Sequence, residues 1–323
     1  MLAGTGRTSC SVVIRAFNEE KHIGRLLTGL MQQSVKEMEL ILVDSGSTDA
    51  TVAIASRFPV KIIHIKPEQF SFGFSLNQGI QHAREGKVVI ASAHIYPVYP
   101  DWLEKLLEPL NDPEVALVYG KQRGNAATKF SEQQVFAQWF PEDAQLHQSH
   151  PFCNNANAAI RRAYWEKHPY DETLPGLEDL EWASWVMERG KAIVYKPEAE
   201  VIHVHQETAR GVYNRYRREG MAFKRIFPQE RFPFTHFLRL FVSNAFSDVW
   251  HAARQGVLKD NLDSIIWFRF MQFWGTYQGF RRTGPLTWRL RQTFYYPRGL
   301  SAASVPAPRA VDPIQYNEVV EKP

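Results

Sequence analysis

The stretches SVVIRAFNEE (residues 11–20) and LILVDSGSTDAT (residues 40–52) decide the fold of this chain. Each is a short apolar run, rich in branched residues, that ends in polar residues or turn formers, as a buried strand followed by a loop does. Apolar residues at helical spacing lie between the two runs and predict a helix that ends near residue 33. Strands that alternate with helices predict an α/β fold with a mostly parallel sheet and helices on both faces.

The same alternation continues to about residue 120. Further strands are predicted at 60–65, 87–91 and 115–120, and further helices at 51–58, 75–84 and 100–110. In such sheets, ligands bind at the carboxyl ends of the strands. The candidate binding loops are therefore residues 15–19, 44–49, 92–97 and the loop that follows Gly120.

Composition excludes several classes of protein. Of the 323 residues, 44% are hydrophobic and 22% are charged, which is typical of a globular chain and excludes global disorder. Two cysteines cannot build a disulfide framework, and residues 1–17 lack the layout of a secretory signal, so we expect a cytoplasmic protein. No apolar run reaches the ~18 residues that a membrane-spanning helix needs.

The net charge of +4 is unevenly distributed. Residues 1–209 carry 20 Lys and Arg against 26 Asp and Glu, whereas residues 210–298 carry 16 against 5 and hold 21 of the 42 aromatic residues. We therefore predict a first domain at 1–209, a basic aromatic helical segment at 210–298 with a different role, and a flexible tail at 299–323.

The turn from Asp44 to Asp49 follows an apolar strand directly. The carboxylate of Asp44 could accept hydrogen bonds from a base or ribose, while the turn at Ser45 and Gly46 directs backbone N–H groups at phosphate oxygens. The alternative is a plain strand-to-helix turn in which Asp49 caps the helix. The residues alone leave both interpretations open.

Several blocks, in their order, resemble bacterial family 2 glycosyltransferases, and in particular the rhamnosyltransferase-like members that build surface polysaccharides. The resemblance covers about residues 10–225, and more loosely 250–282. Besides the two stretches quoted first, the blocks are PEQFSFGFSLNQGIQHA (67–83), ASAHIYPVYPDWL (91–103), VYGKQ (118–122), FCNNANAAIRRAYW (152–165), GLEDLEWASWV (176–186) and VIHVHQ (201–206).

This resemblance implies a Rossmann-like GT-A fold, a nucleotide-sugar donor and an inverting displacement at the anomeric carbon. Rhamnose is the favoured donor sugar, with GlcNAc, glucose and mannose left open. A nucleotidyltransferase and an inactive nucleotide-sugar-binding protein are the alternatives. The residues that the resemblance places at the donor are Phe17, Asn18, Glu19, Asp44, Ser45, Gly46, Phe74 and Asn77.

The run from Glu178 to Trp182 matches the Glu-Asp-x-x-Trp motif of the family. Inversion by one displacement needs one base that takes the proton of the acceptor hydroxyl. By the resemblance, Asp179 is that base, Glu178 raises its pKa, and Trp182 stacks on a sugar of the acceptor. The alternative is an acidic helix start, which the helix dipole favours.

Ser92-Ala93-His94 departs from the Asp-x-Asp that the family places here to hold a divalent cation. One hypothesis makes His94 a metal ligand with His203 or His205, which would favour Mn²⁺-like ions over Mg²⁺. Alternation along a strand would put His203 and His205 on opposite faces, so that only one reaches the site. The other hypotheses are metal-free binding of the diphosphate and a structural histidine.

The basic aromatic segment interleaves Arg with Phe, Tyr and Trp, and residues 264–280 predict a helix with a wide apolar ring. Such a helix suits the surface of an anionic bilayer, here the inner face of the plasma membrane, where the acceptor would be a lipid-linked glycan. The alternatives are a helical cap on the core and a homo-oligomer interface. No motif supports nucleic-acid binding.

Overall fold

The computed structural model describes residues 9–205, 207–281 and 311–316. The strands are Ser9–Ala16 (β1), Glu37–Asp44 (β2), Val60–His64 (β3), Lys87–Ser92 (β4), Ile95–Pro97 (β5), Val115–Arg123 (β6), Asn157–Arg161 (β7) and Ala192–His203 (β8). The helices are Ile23–Met31 (α1), Thr51–Ala55 (α2), Phe72–Gln81 (α3), Trp102–Leu107 (α4), Phe130–Trp139 (α5), Arg162–Trp165 (α6), Glu178–Glu188 (α7), Ala209–Ile226 (α8), Phe234–Arg254 (α9) and Leu258–Phe280 (α10).

All these strands form one sheet in the order β3-β2-β1-β4-β7-β6-β8-β5. The first four are parallel, β7 runs antiparallel to both of its neighbours, β8 is parallel to β6, and β5 is antiparallel to β8. The predicted α/β fold is therefore confirmed. Because β7 starts where β4 ends, residues just before β7 reach the same edge as the carboxyl ends of β1 and β4.

The central strands are apolar throughout because both of their faces are buried. In β1, Val12 and Ile14 belong to one core cluster, whereas Val13 belongs to the cluster on the opposite face of the sheet. Helix α1 packs on the first cluster and α3 on the second. Each such apolar side chain stabilises the fold by roughly 1.5–3 kcal/mol, which holds the strand ends in fixed positions.

Part of the apolar ring of α10 is covered by other helices, so those side chains are not available to a bilayer. The predicted helix at 264–280 exists, but Phe268, Phe273 and Phe280 are buried. Added Cβ atoms at Gly275 and Gly279 would lie 2.5 and 2.6 Å from backbone oxygens of α8. These glycines therefore let α10 and α8 approach backbone to backbone.

Helix α9 carries a long exposed apolar face. Its side chains at every fourth position are between 50 and 71% exposed, namely Phe234, Leu238, Val242, Phe246 and Trp250. Leu262, Ile266 and Phe270 of α10 are exposed as well. Within the described residues, no helix is both long enough and apolar enough to cross a membrane.

A buried ion pair joins α9 to α10. Arg269 donates from Nε and Nη2 to the two carboxylate oxygens of Asp248, at 2.7 and 2.9 Å, and from Nη1 to Gln272. Both charged side chains are at most 4% exposed. The paired groups satisfy one another, so the energetic cost arises when one of them is removed.

We expect Asp248→Ala to lower the free energy of unfolding by about 3–5 kcal/mol, because it leaves the Arg269 guanidinium buried without its counter-charge. Urea denaturation measures the change. Asp260→Ala, at an exposed acidic residue of the same helical pair, is the control and should change stability by less than about 0.5 kcal/mol. Equal effects of the two substitutions would contradict a structural role for the pair.

Candidate active site

A cleft of about 630 Å³ opens at the edge of the sheet where β1, β4 and β6 end. The segment before β7, the start of α7, the end of β8 and one side of α8 complete its walls. The polar and aromatic side chains that line the cleft include Arg15, Glu19, Phe72, Ser92, His94, Gln122, Glu132, Asn155, Glu178, Asp179, His203, His205, Arg215 and Arg218.

Two predicted residues, Glu178 and Asp179, are buried side by side at the start of α7. The Asp179 carboxylate accepts hydrogen bonds from the backbone N–H of Asn155, at 3.1 Å, and of Leu180, at 2.8 Å. Oε1 of Glu178 lies 3.4 Å from a guanidinium nitrogen of Arg15. The cleft thus holds two adjacent carboxylates and one nearby cation.

Burial, and after it the negative charge of Glu178, together raise the pKa of Asp179 to about 7. The two backbone hydrogen bonds and Arg15 oppose this shift only in part. A carboxyl group with a pKa near neutrality can take up and release a proton under physiological conditions. The pair therefore has the electrostatics of a general base.

Trp182 does not face the cleft, and its predicted stacking on a sugar is wrong. The side chain is fully buried in the core, and its indole N–H donates to the backbone oxygen of His168 at 2.8 Å. It belongs to the core cluster on one face of the sheet. Its role is to hold α7 on the sheet, and thereby the two carboxylates in place.

The predicted donor loops lie next to each other. The backbone N–H of Asn18 donates to the Ser47 hydroxyl at 2.9 Å, and that of Thr48 donates to the Asn18 side chain at 2.8 Å. Both Asn18 and Glu19 line the cleft, and Phe17 is about half exposed (54%). The loops after β1 and β2 thus form one surface.

Asp44 stabilises its own turn. Its carboxylate accepts from the N–H groups of Gly46 and Ser47, and His64 Nδ1 lies 3.2 Å away. Gly46 has a φ of +88°, which glycine adopts without strain, and Ser45 is buried. The alternative for Asp49 also holds in part, since its carboxylate accepts from the N–H of Thr51, the first residue of α2.

Asn77 and Phe74, which the resemblance places at the donor, do not line the cleft. The Asn77 amide donates to Tyr170 O and Glu172, and accepts from the Trp165 indole and the Tyr170 N–H. Phe74 is half-buried against the core cluster on its side of the sheet. Asn77 thus joins α3 to residues 165–172.

The cleft also contains residues that the sequence patterns missed. Phe72 lines it, with the guanidinium carbons of Arg15 and Arg218 at 4.8 and 4.7 Å from the centre of its ring. Arg215 donates to Glu132 and contacts Glu207, both at 2.7 Å. The arginine-rich run in α8 was the available signal, but nothing local to it indicates which arginines face the cleft.

Three histidines meet in the cleft, including both of those that strand alternation would separate. Strand β8 ends at His203, so His205 lies beyond the alternating part and turns to the same side. The short strand β5 pairs with β8, which brings His94 alongside. The ring centres lie 5.0 Å (His94–His203), 5.7 Å (His94–His205) and 4.0 Å (His203–His205) apart.

Burial lowers the pKa of His203 and of His205 well below the usual range, and neighbouring positive groups lower both further. For His203 these neighbours are His205, His94 and Arg215, and for His205 they are Arg215 and His94. Both rings are therefore neutral at pH 7 and keep a lone pair for a cation or a hydrogen-bond donor.

Residues 11–168 match the family model described as glycosyl transferase family 2. Over this stretch the chain is similar to family 2 glycosyltransferases. The chain is 30% identical over 196 residues to the O-antigen chain rhamnosyltransferase WbaN of Salmonella anatum, an alignment that covers 57% of this chain and 62% of WbaN. It is 26% identical over 218 residues to RfbN of Salmonella typhimurium, with 64% and 69% covered.

Solved glycosyltransferases share the fold. A mannosyltransferase from Pyrobaculum calidifontis, in complex with GDP-Man and Mn²⁺, superposes with a TM-score of 0.59 at 17% identity, and covers 86% of this chain and 89% of its own. S. aureus TarS 1-349 in complex with UDP-GlcNAc gives 0.54 at 16% identity, with 80% and 90% covered. The predicted GT-A fold is confirmed.

We expect Asp179→Asn to stabilise the protein above neutral pH. The folded-state pKa of about 7 lies above the ordinary value of 3.8, so the wild type loses stability as pH rises from about 4 to about 7. The variant lacks the titrating carboxyl group and therefore does not lose this stability. Its melting temperature should exceed that of the wild type by an amount that grows toward about pH 8. Glu188→Gln, exposed on the same helix, should show a difference that does not depend on pH. A flat difference for Asp179→Asn would refute the raised pKa.

Proposed function

We propose that this protein is an inverting glycosyltransferase that moves a sugar from a nucleotide-diphosphate donor to a glycan acceptor in surface-polysaccharide synthesis. The buried carboxylate pair at the head of α7 carries this proposal, because it places a proton acceptor with a pKa near 7 in the cleft. The O-antigen rhamnosyltransferases to which the chain is similar favour rhamnose as the donor sugar.

In this proposal Asp179 takes the proton from the acceptor hydroxyl as that oxygen attacks the anomeric carbon. Glu178 keeps the pKa of Asp179 raised, and Arg15 beside Glu178 limits the charge repulsion between the carboxylates. The leaving diphosphate carries negative charge away from the sugar, so cationic groups must lie near it. Arg15, Arg218 and the histidine cluster are the groups available in the cleft, where a divalent cation would add to this neutralisation.

A panel of nucleotide sugars, scored by binding and by transfer or hydrolysis, tests the proposal. We expect Asp179→Asn to lower kcat by about 10²–10⁴-fold with little change in donor binding, because it removes the base alone. The control Glu188→Gln should match the wild type. Binding without turnover by the wild type would favour an inactive nucleotide-sugar-binding protein, and release of inorganic diphosphate from a nucleoside triphosphate would favour a nucleotidyltransferase. Wild-type rates in Asp179→Asn would reject this residue as the base.

We also propose that the α9 face binds an anionic bilayer, which would bring the enzyme to a lipid-linked acceptor at the inner face of the plasma membrane. Phe234, Phe246 and Trp250 project from this face together with Leu238 and Val242, which suits insertion at the depth of the lipid headgroups. Helix α8, which carries Arg215 and Arg218, packs against α10, and α10 packs against α9. Helix α9 would thus be connected to the cleft through α10 and α8.

Charge distinguishes a bilayer from a second copy of the chain. The exposed charged residues between 231 and 263 are Arg231, Arg239, Arg254, Lys259, Asp260 and Asp263. The one acidic residue of α9, Asp248, is buried against Arg269. A two-fold dimer through this face would bring like-charged α9 helices together, whereas anionic lipid complements them.

We expect the wild type to sediment with phosphatidylglycerol vesicles and much less with phosphatidylcholine vesicles, and to be released as salt is raised. The double substitution Phe246→Asp and Trp250→Asp should weaken binding at least about tenfold. Leu146→Asp, at an exposed apolar residue outside α9 and α10, is the control and should bind the vesicles as the wild type does. A wild-type dimer that ignores vesicles and is made monomeric by the double substitution would identify the face as an oligomer interface instead.

A further inference from the structure

We propose that His94, His203 and His205 form a three-imidazole site that binds a nitrogen-preferring divalent transition-metal ion and discriminates against Mg²⁺. Each of the three residues can offer one ring nitrogen, and these nitrogens lie within 4.8 Å of one another. The site is part of the same cleft, so the role of the ion in catalysis rests on the proposed function. Binding of the ion rests only on the histidines.

The orientation of the three rings is the first support. In each ring Nδ1 faces an oxygen of another side chain, at 2.7 Å to Glu19 for His94, 2.6 Å to Gln122 for His203, and 2.7 Å to Glu132 for His205. Histidines that bind metals almost always engage their second nitrogen in this way, because the partner fixes the tautomer and the ring plane. The arrangement leaves Nε2 of each ring as the ligand atom.

The second support is an unsatisfied polar atom. Nε2 of His203 is buried and, among the described residues, has no hydrogen-bond partner, while the residue as a whole is 95% buried and lines the cleft. An imidazole nitrogen without a partner costs free energy in a protein interior, and a bound cation would remove that cost. Ser92 Oγ lies 3.2 Å from Nε2 of His94, so a hydroxyl also borders the site.

Neighbouring carboxylates belong to other interactions. Glu132 and Glu207 could form a second cluster with His205, but both contact the Arg215 guanidinium at 2.7 Å. Glu19 lies behind His94, on its Nδ1 side. The donor set at the centre is therefore nitrogen, which suits Zn²⁺ or Co²⁺ and offers little to Mg²⁺, an ion that prefers oxygen ligands.

Co²⁺ is the probe, because its absorption spectrum reports nitrogen coordination without any sugar donor. We expect the metal-free full-length protein to bind one Co²⁺ with visible absorption bands, and competition with Zn²⁺ to abolish them. Mg²⁺ should bind at least about 100-fold more weakly than Co²⁺. Equal affinities for Mg²⁺ and Co²⁺, or no Co²⁺ binding by the wild type, would overturn the proposal.

Variants locate the ion. His203→Ala and His94→Ala should each weaken Co²⁺ binding by more than about 100-fold, and Glu19→Gln should weaken it by about 10–100-fold through the orientation of His94. His82→Ala, at the exposed histidine that directly follows α3, is the control and should bind as the wild type does. His94 is only partly buried, so it keeps the test decisive if His203→Ala does not fold. Unchanged Co²⁺ binding in His94→Ala would reject the site. This outcome is independent of the nucleotide-sugar experiments, which test the proposed function.

Discussion

Parallel pairing of β1 between β2 and β4 is the constraint on which the cleft depends. It places Ala16, Asp44 and Ser92 at one edge of the sheet, and the polar loops that follow them are held together there. Burial of both faces of these strands fixes their ends, because any shift in register would turn apolar side chains out of the two cores. A rigid edge of this kind can support precise placement of catalytic groups on loops.

The second half of the sheet adds the reactive groups to this edge. Antiparallel β7 begins where β4 ends and brings Asn155 to the carboxylate of Asp179, while β5 pairs with the end of β8 and brings His94 to His203. The cleft therefore has an acidic side at α7 and an imidazole side at β8. Helix α8 contributes cationic groups to the same cleft, and its backbone packs closely against Gly275 and Gly279 of α10.

Sequence reasoning succeeded where a local pattern is sufficient. The strands from β1 to β4 and the helices between them follow from periodicity, and the family resemblance adds Glu178 and Asp179, a pair that lies in the cleft. It did not identify which motif residues face the cleft. Trp182 is fully buried in the core and the Asn77 amide is hydrogen-bonded within the protein, because the packing of each helix against the sheet decides which of its sides faces the cleft.

The sequence by itself determined the α/β architecture, the unequal charge of the two halves and the positions of the acidic pair and the histidines along the chain. Only the tertiary structure decided that His94, His203 and His205 meet and that Arg215 and Arg218 line the same cleft. It also showed that α9 carries an exposed apolar face along its whole length. The physical reason is that contacts between residues a hundred positions apart depend on strand order and helix packing, which local periodicity does not encode.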